Sequence, residues 1–173
     1  MEVFLHTLST GNAFTKKNKQ MKKIFLMLSI VTAAFAQSVF AQKNTSPILV
    51  KYYALKDALV AGDVKIASQS SGELVKALDG ADTKLVPSAN KKTLVLEAKK
   101  IASGTDIEKQ RQDFATLSTD VIALLKKSKL TDQPVYTQYC PMKKSSWVSS
   151  EKAIKNPYYG SMMLSCGKVT ETL

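Results

Sequence analysis

From Ser46 onward, apolar residues recur every three or four positions, the period of helices that bury one face. The first run puts Ile48, Tyr52, Leu55 and Leu59 on one stripe; Ser46 is placed to cap it, Pro47 suits its first turn, and Gly62 stops it. Asp63 can cap a second run that carries Val64, Ala67, Leu74 and Leu78 inward and ends at Gly80. So short a connection makes the two helices antiparallel neighbours. A third helix is expected over 88–103, with Leu94, Ala98 and Ile101 inward and Gly104 closing it. The fourth stripe is Phe114, Leu117, Val121 and Leu124; Thr105 or Asp106 caps it, with Glu108 three residues past Thr105 as in a capping box. It runs out in the lysines between Lys126 and Lys129, which suit the negative end of a helix dipole.

After Gln133-Pro134 the period changes. The stretch "VYTQYC" is β-branched and aromatic enough for a short strand, "NPYYG" is a turn signal, and "MMLSCGKV" reads as a further strand or one turn of helix. The pattern predicts a mainly α protein: an up-and-down four-helix bundle with a small C-terminal strand and turn cap over 135–173.

The N-terminus reads as an address. Lys22 and Lys23 precede an apolar stretch from Ile24 to Ala36, and Val39-Phe40-Ala41 resembles a signal-peptidase site. The apolar run is shorter than the roughly 20 residues that a membrane-spanning helix needs. These features predict a signal peptide over 21–41, cleavage after Ala41 and a periplasmic protein with no stable membrane insertion. Residues 1–20 precede the better-placed start at Met21 and read as a non-native extension. Residues 42–173 are then a single helical-bundle domain.

Export bears on the charge and on the sulfur. Loss of five lysines and one glutamate with the leader takes the formal charge from +11 to +7, almost all of it lysine. Arg111 is the only arginine, and nucleic-acid readers concentrate arginine with aromatic residues, so no nucleic-acid partner is expected. The only histidine, His6, lies in the leader region, which leaves no serine–histidine or cysteine–histidine pair for an enzyme. Ser149 and Lys152 match the S-x-x-K spacing, but the companion motifs are missing. No enzyme is expected.

All sulfur beyond the leader, namely Cys140, Met142, Met162, Met163 and Cys166, falls within one tail segment. Two readings stand open. Thiolate and thioether ligands suit copper(I) or silver(I), with Cys140, Met142, Met163 and Cys166 as the ligand set, Met162 as a further ligand and Trp147 lying over the cation. Alternatively, an oxidising compartment favours a Cys140–Cys166 disulfide, which would close a loop of some 25 residues and contribute roughly 3 to 4 kcal/mol. That second reading makes the tail a stapled interaction surface presenting Trp147, Tyr158 and Tyr159. Lone tryptophans and adjacent methionines also serve as ordinary core.

The order "VYTQYCPM", "W", "NPYYG" and "MLSCGKV", together with "YYALKDALVAGD", resembles a bacterial exported domain family of unknown function. That family is also found at the C-terminus of periplasmic adaptor subunits of copper and silver efflux pumps. The resemblance spans about residues 48 to 172 and puts the motif on Cys140, Pro141, Met142, Trp147, Asn156, Pro157, Tyr158, Gly160, Met163, Cys166 and Gly167. It implies heavy-metal handling, a metal efflux pump or its adaptor as partner, and no assigned enzymatic activity. Two features depart from the family's pattern: Tyr139 stands where relatives often carry a histidine, and the stretch from Met142 to Trp147 is shortened.

Overall fold

The computed structural model describes residues 45–173, so the extension over 1–20 and the signal peptide over 21–41 lie outside the described residues. Four helices, α1 (Pro47–Ala61), α2 (Val64–Asp79), α3 (Ser88–Ala102) and α4 (Ile107–Leu125), precede three strands, β1 (Tyr136–Cys140), β2 (Ser145–Ser149) and β3 (Lys168–Thr172). A 3-10 turn, Gly160–Met163, lies between β2 and β3. None of the described helices is long and apolar enough to cross a membrane.

The helices start where short polar side chains meet the first free N–H groups. Ser46 Oγ accepts from Ile48 N at 3.3 Å and Asp63 Oδ1 from Ile66 N at 2.9 Å. Asp106, rather than Thr105, caps α4, accepting from Lys109 N at 2.8 Å. Glu108 does not complete a capping box; it pairs with Arg111 at 2.9 Å, one turn along. Arg111 is buried and donates from Nη2 to Leu59 O at 3.0 Å, so the sole arginine satisfies a carbonyl in the last turn of α1.

Each helix packs against the next in sequence, whereas α1 and α4 approach each other only sparsely. Ser46 N–H donates to Leu130 O at 2.8 Å and ties the start of α1 to the segment after α4. The tail supplies the rest of the core on that side, with β2 lying against α4 and the Gly160–Met163 turn against α1. A strand and turn cap therefore understates the tail. It is a three-stranded antiparallel sheet in the order β2-β1-β3, and Trp147, Val148 and Tyr158 from it are fully buried beside Tyr52 and Phe114. The strand β2, which the sequence pattern did not predict, pairs with β1 from Tyr136↔Ser149 to Cys140↔Ser145 across a four-residue turn. On the other side β3 pairs with β1 from Tyr136↔Thr172 to Tyr139↔Lys168, with a register shift beside Thr137.

Helices and sheet meet through a run of aromatic rings. Tyr52 stacks on Phe114 at 5.2 Å, Phe114 meets Tyr158 at 6.1 Å, and Tyr158 meets the Trp147 ring edge-on at 5.7 Å. Two hydroxyls in that run bond to the edge of β2 that faces away from β1. Tyr52 Oη accepts from Val148 N at 3.3 Å and lies 2.7 Å from Ser118 Oγ, and Tyr158 Oη donates to Ser146 O at 2.6 Å. Substituting Tyr52→Phe leaves the Val148 N–H and the Ser118 hydroxyl without that partner in the core. The expected cost is about 1–3 kcal/mol in urea unfolding, with the helical circular dichroism of the native state unchanged.

One buried acid sits between α3 and α4. Burial, followed by the neighbouring Asp120 charge and a hydrogen bond to that residue, raises the Glu97 pKa from 4.5 to about 7, with Lys100 opposing. The folded state thus holds a proton that the unfolded chain releases earlier. The resulting stability is fully present below about pH 4.5 and is lost as pH rises through about 7. Thermal melts from pH 4.5 to 8 should show this decline, and Glu97→Gln should flatten it and gain on the order of 1–3 kcal/mol at pH 8.

Candidate functional site

β1 ends on Cys140, and the turn that follows, Pro141 to Lys144, brings the chain back into β2. Lys144 adopts a left-handed conformation in this turn, with φ at 55°. The turn also aims the Lys143 N–H at Cys140 Sγ, 3.4 Å away. β3 begins alongside the same end of β1, with Lys168 opposite Tyr139, which sets the residues just before β3 against the end of β1. Cys166 arrives there, and the two sulfur atoms lie 3.7 Å apart. Both cysteines are free thiols, at a separation well beyond the roughly 2.05 Å of a disulfide bond.

The backbone of Cys166 is held on three sides. Its N–H donates to Met163 O at 3.0 Å, its carbonyl accepts from Asn156 Nδ2 at 2.7 Å, and the following Gly167 packs under the Trp147 ring. Gly167 has φ at 151°, and a Cβ there would lie 3.0 Å from both the Trp147 ring and Tyr139 O, closer than ordinary contact allows. Asn156 is fully buried, and its Oδ1 also accepts from Tyr158 N at 2.8 Å, closing the turn that "NPYYG" signals. Gly160 has φ at 55°, and a Cβ there would meet Arg111 Nη2 and Val60 O, so the turn lies directly on the end of α1. Asn156, Lys143 and Gly167 therefore position the thiols. The resemblance marked Asn156 and Gly167 without assigning them this role, and nothing in the local sequence marked the Lys143 N–H.

The two thiols are not equivalent. Cys140 is fully buried, whereas Cys166 is half-buried. Burial pushes the Cys140 thiol up, but hydrogen bonds from the Lys143 backbone, the Asn156 side chain, Cys166 and the Met142 backbone outweigh it, and its pKa falls below the usual thiol value. The Cys166 pKa rises, chiefly because its S–H is bonded to Cys140, with burial and the Cys140 charge adding to the effect. The pair thus favours a Cys140 thiolate that accepts the Cys166 proton.

The remaining sulfur is arranged differently. Met142 lies in the β1–β2 turn and is 63% exposed; Met162 and Met163 lie in the 3-10 turn and are 71% and 41% exposed. Of the expected ligand set, the fold brings Cys140 and Cys166 together and leaves the Met142 and Met163 side chains on the surface. Trp147 does not lie over the pair as an open ring face; it is fully buried, and its Nε1 has no hydrogen-bond partner among the described residues. Tyr158 is buried as well, so the expected surface of Trp147, Tyr158 and Tyr159 does not form, and only Tyr159 is partly exposed. Among the described residues, no group of three or more His, Cys, Asp and Glu is placed to hold a metal ion. A cleft of about 580 Å³ is lined by residues 125–135 with Thr172 and Leu173, and contains none of the sulfur residues.

Because Trp147 anchors the sheet, truncating it should unfold the tail rather than merely empty a site. Trp147→Ala is expected to cost about 3–5 kcal/mol in urea unfolding, and Trp147→Phe substantially less.

No curated protein and no solved structure matches the chain. One family model does: residues 48–133, which run from the first turn of α1 to the segment just before β1, match the family described as "Protein of unknown function (DUF3347)".

Proposed function

We propose that this is an exported, non-catalytic binding protein for copper(I) or silver(I), which carries the ion in the periplasm to a metal efflux system. The observation that carries this reading is the 3.7 Å separation of two unbonded thiols. With metal–thiolate bonds of about 2.3 Å, two thiolates on one ion at a near-tetrahedral angle sit about 3.8 Å apart, so the pair needs almost no rearrangement to share an ion. The chemistry of the neighbours selects the ion. Thioethers at Met142 and Met163, on the turns that flank the pair in the chain, offer soft ligands, and the described residues contain no imidazole for a harder ion.

Cys140 and Cys166 form the centre of the proposed site, with Met142 and Met163 as outer ligands that swing in from the surface. Exposed thioethers beside a partly exposed thiolate also suit transfer, because a partner's ligands can replace them one at a time. Efflux association comes from the family resemblance alone. The matched helical segment ends before β1, so neither cysteine falls within it. An up-and-down order of the four helices and a leader removed after Ala41 belong to the same reading.

The test is native mass spectrometry of reduced residues 42–173 titrated anaerobically with copper(I) against a competing chelator. One ion should remain bound to the native chain. Cys140→Ser and Cys166→Ser should each lower affinity at least 100-fold, and Met142→Leu with Met163→Leu by about tenfold. Loss of all copper to the chelator from the reduced native chain would sink the reading.

A further inference from the structure

We propose that Cys140 and Cys166 are a reversible dithiol–disulfide couple with a fixed division of labour, in which Cys166 exchanges with external disulfides and thiols and Cys140 closes and opens the bond. The couple stands on the geometry of the pair by itself. Its consequence, that oxidation withdraws both thiolates and releases a bound soft ion, rests on the metal reading above.

Access sets the division of labour. Cys140 is fully buried beneath the β1–β2 turn, so a small disulfide cannot reach its sulfur, whereas Cys166 is half-buried and open to solvent on one side. In oxidation, Cys166, the less acidic but the accessible thiol, loses its proton to solvent and attacks a low-molecular-weight disulfide RSSR. A Cys166–SR bond forms, the R–S–S–R bond breaks, and one RS⁻ leaves. Cys140, 3.7 Å away, then attacks Cys166 Sγ as a thiolate; the Cys140–Cys166 bond forms and the second RS⁻ leaves. The protein loses two electrons and two protons, and RSSR becomes two RSH.

Reduction runs back through the same atoms. An external thiolate reaches the exposed Cys166 sulfur and expels Cys140, whose departing charge is received by the Lys143 N–H already aimed at it from 3.4 Å. Closing from 3.7 Å to a disulfide bond falls to side-chain rotation, because β1 holds one backbone and Asn156, Met163 and Gly167 hold the other. With both backbones held in this way, the proposed couple keeps one fold in both forms and switches the site without remodelling the domain.

The test uses metal-free residues 42–173 in buffers of reduced and oxidised glutathione, with mass spectrometry after acid quenching. The native chain should interconvert between dithiol and disulfide with a single midpoint. Cys140→Ser should accumulate one glutathione on Cys166, and Cys166→Ser should acquire none over the same period. Iodoacetamide pulses on the folded native dithiol should label Cys166 at least tenfold faster than Cys140, which checks the order of access without a substitution. Equal labelling of the two thiols, glutathione on Cys140, or a disulfide that reduced glutathione does not open would each overturn the proposal. Copper(I) added to the two forms separates the readings. Binding to the dithiol alone supports the gating, and binding to neither leaves the couple intact while removing the metal reading.

Discussion

The tail can join the helical core only if the free edge of β2 finds hydrogen-bond partners away from water. β2 is an outer strand of the sheet and lies against α4, so its outward N–H and C=O groups would otherwise be buried and unpaired. Two tyrosine hydroxyls solve the problem from opposite directions. Tyr52 reaches across from α1 to the Val148 N–H, and Tyr158 reaches back from the "NPYYG" turn to the Ser146 carbonyl. Burial raises the pKa of both phenols, so they are protonated bridging groups at neutral pH. Trp147 can then point into the core, and the end of β1 is held where Cys140 meets Cys166.

The thiol pair is thus the outermost consequence of a long chain of contacts. Its separation depends on the β1–β3 register, the Asn156 bond to Cys166 and the absence of a side chain at Gly167. Each of these belongs to the tail, beyond the segment that matches the family of unknown function. The matched helices and the tail nevertheless share one core, because the aromatic run from Tyr52 to Trp147 joins them.

The helices were legible because their determinants are local. Ser46 and Asp63 cap where their positions suggest, and the inward stripes of α1, α3 and α4 are buried residue for residue. The choice between Thr105 and Asp106 was not legible, since either can cap and only the backbone at the start of α4 decides. β2 escaped notice for two physical reasons. Three of its five residues are serine, which signals a loop as readily as a strand, and its hairpin turns through Lys144 in a left-handed conformation without the glycine or asparagine that usually marks such a position. The meeting of Cys140 and Cys166 was open in the sequence because it depends on β1 pairing with a strand far along the chain. The surface position of Met142 and Met163 follows from turns that no residue period reveals.

The register shift between β1 and β3 has a further effect. β3 is the other outer strand, and all five of its residues are exposed, which would ordinarily offer a second copy of the chain a row of unpaired backbone groups. Thr137 pairs with Glu171 and its neighbour Gln138 with Val169, so Thr170 is left without an opposite number and the ladder loses its even spacing there. An incoming strand cannot follow that line without repeating the irregularity, and it would also meet Lys168 and Glu171 on the way. The bulge thus makes the outer edge of β3 a poorer template for edge-to-edge pairing than an evenly spaced strand would be.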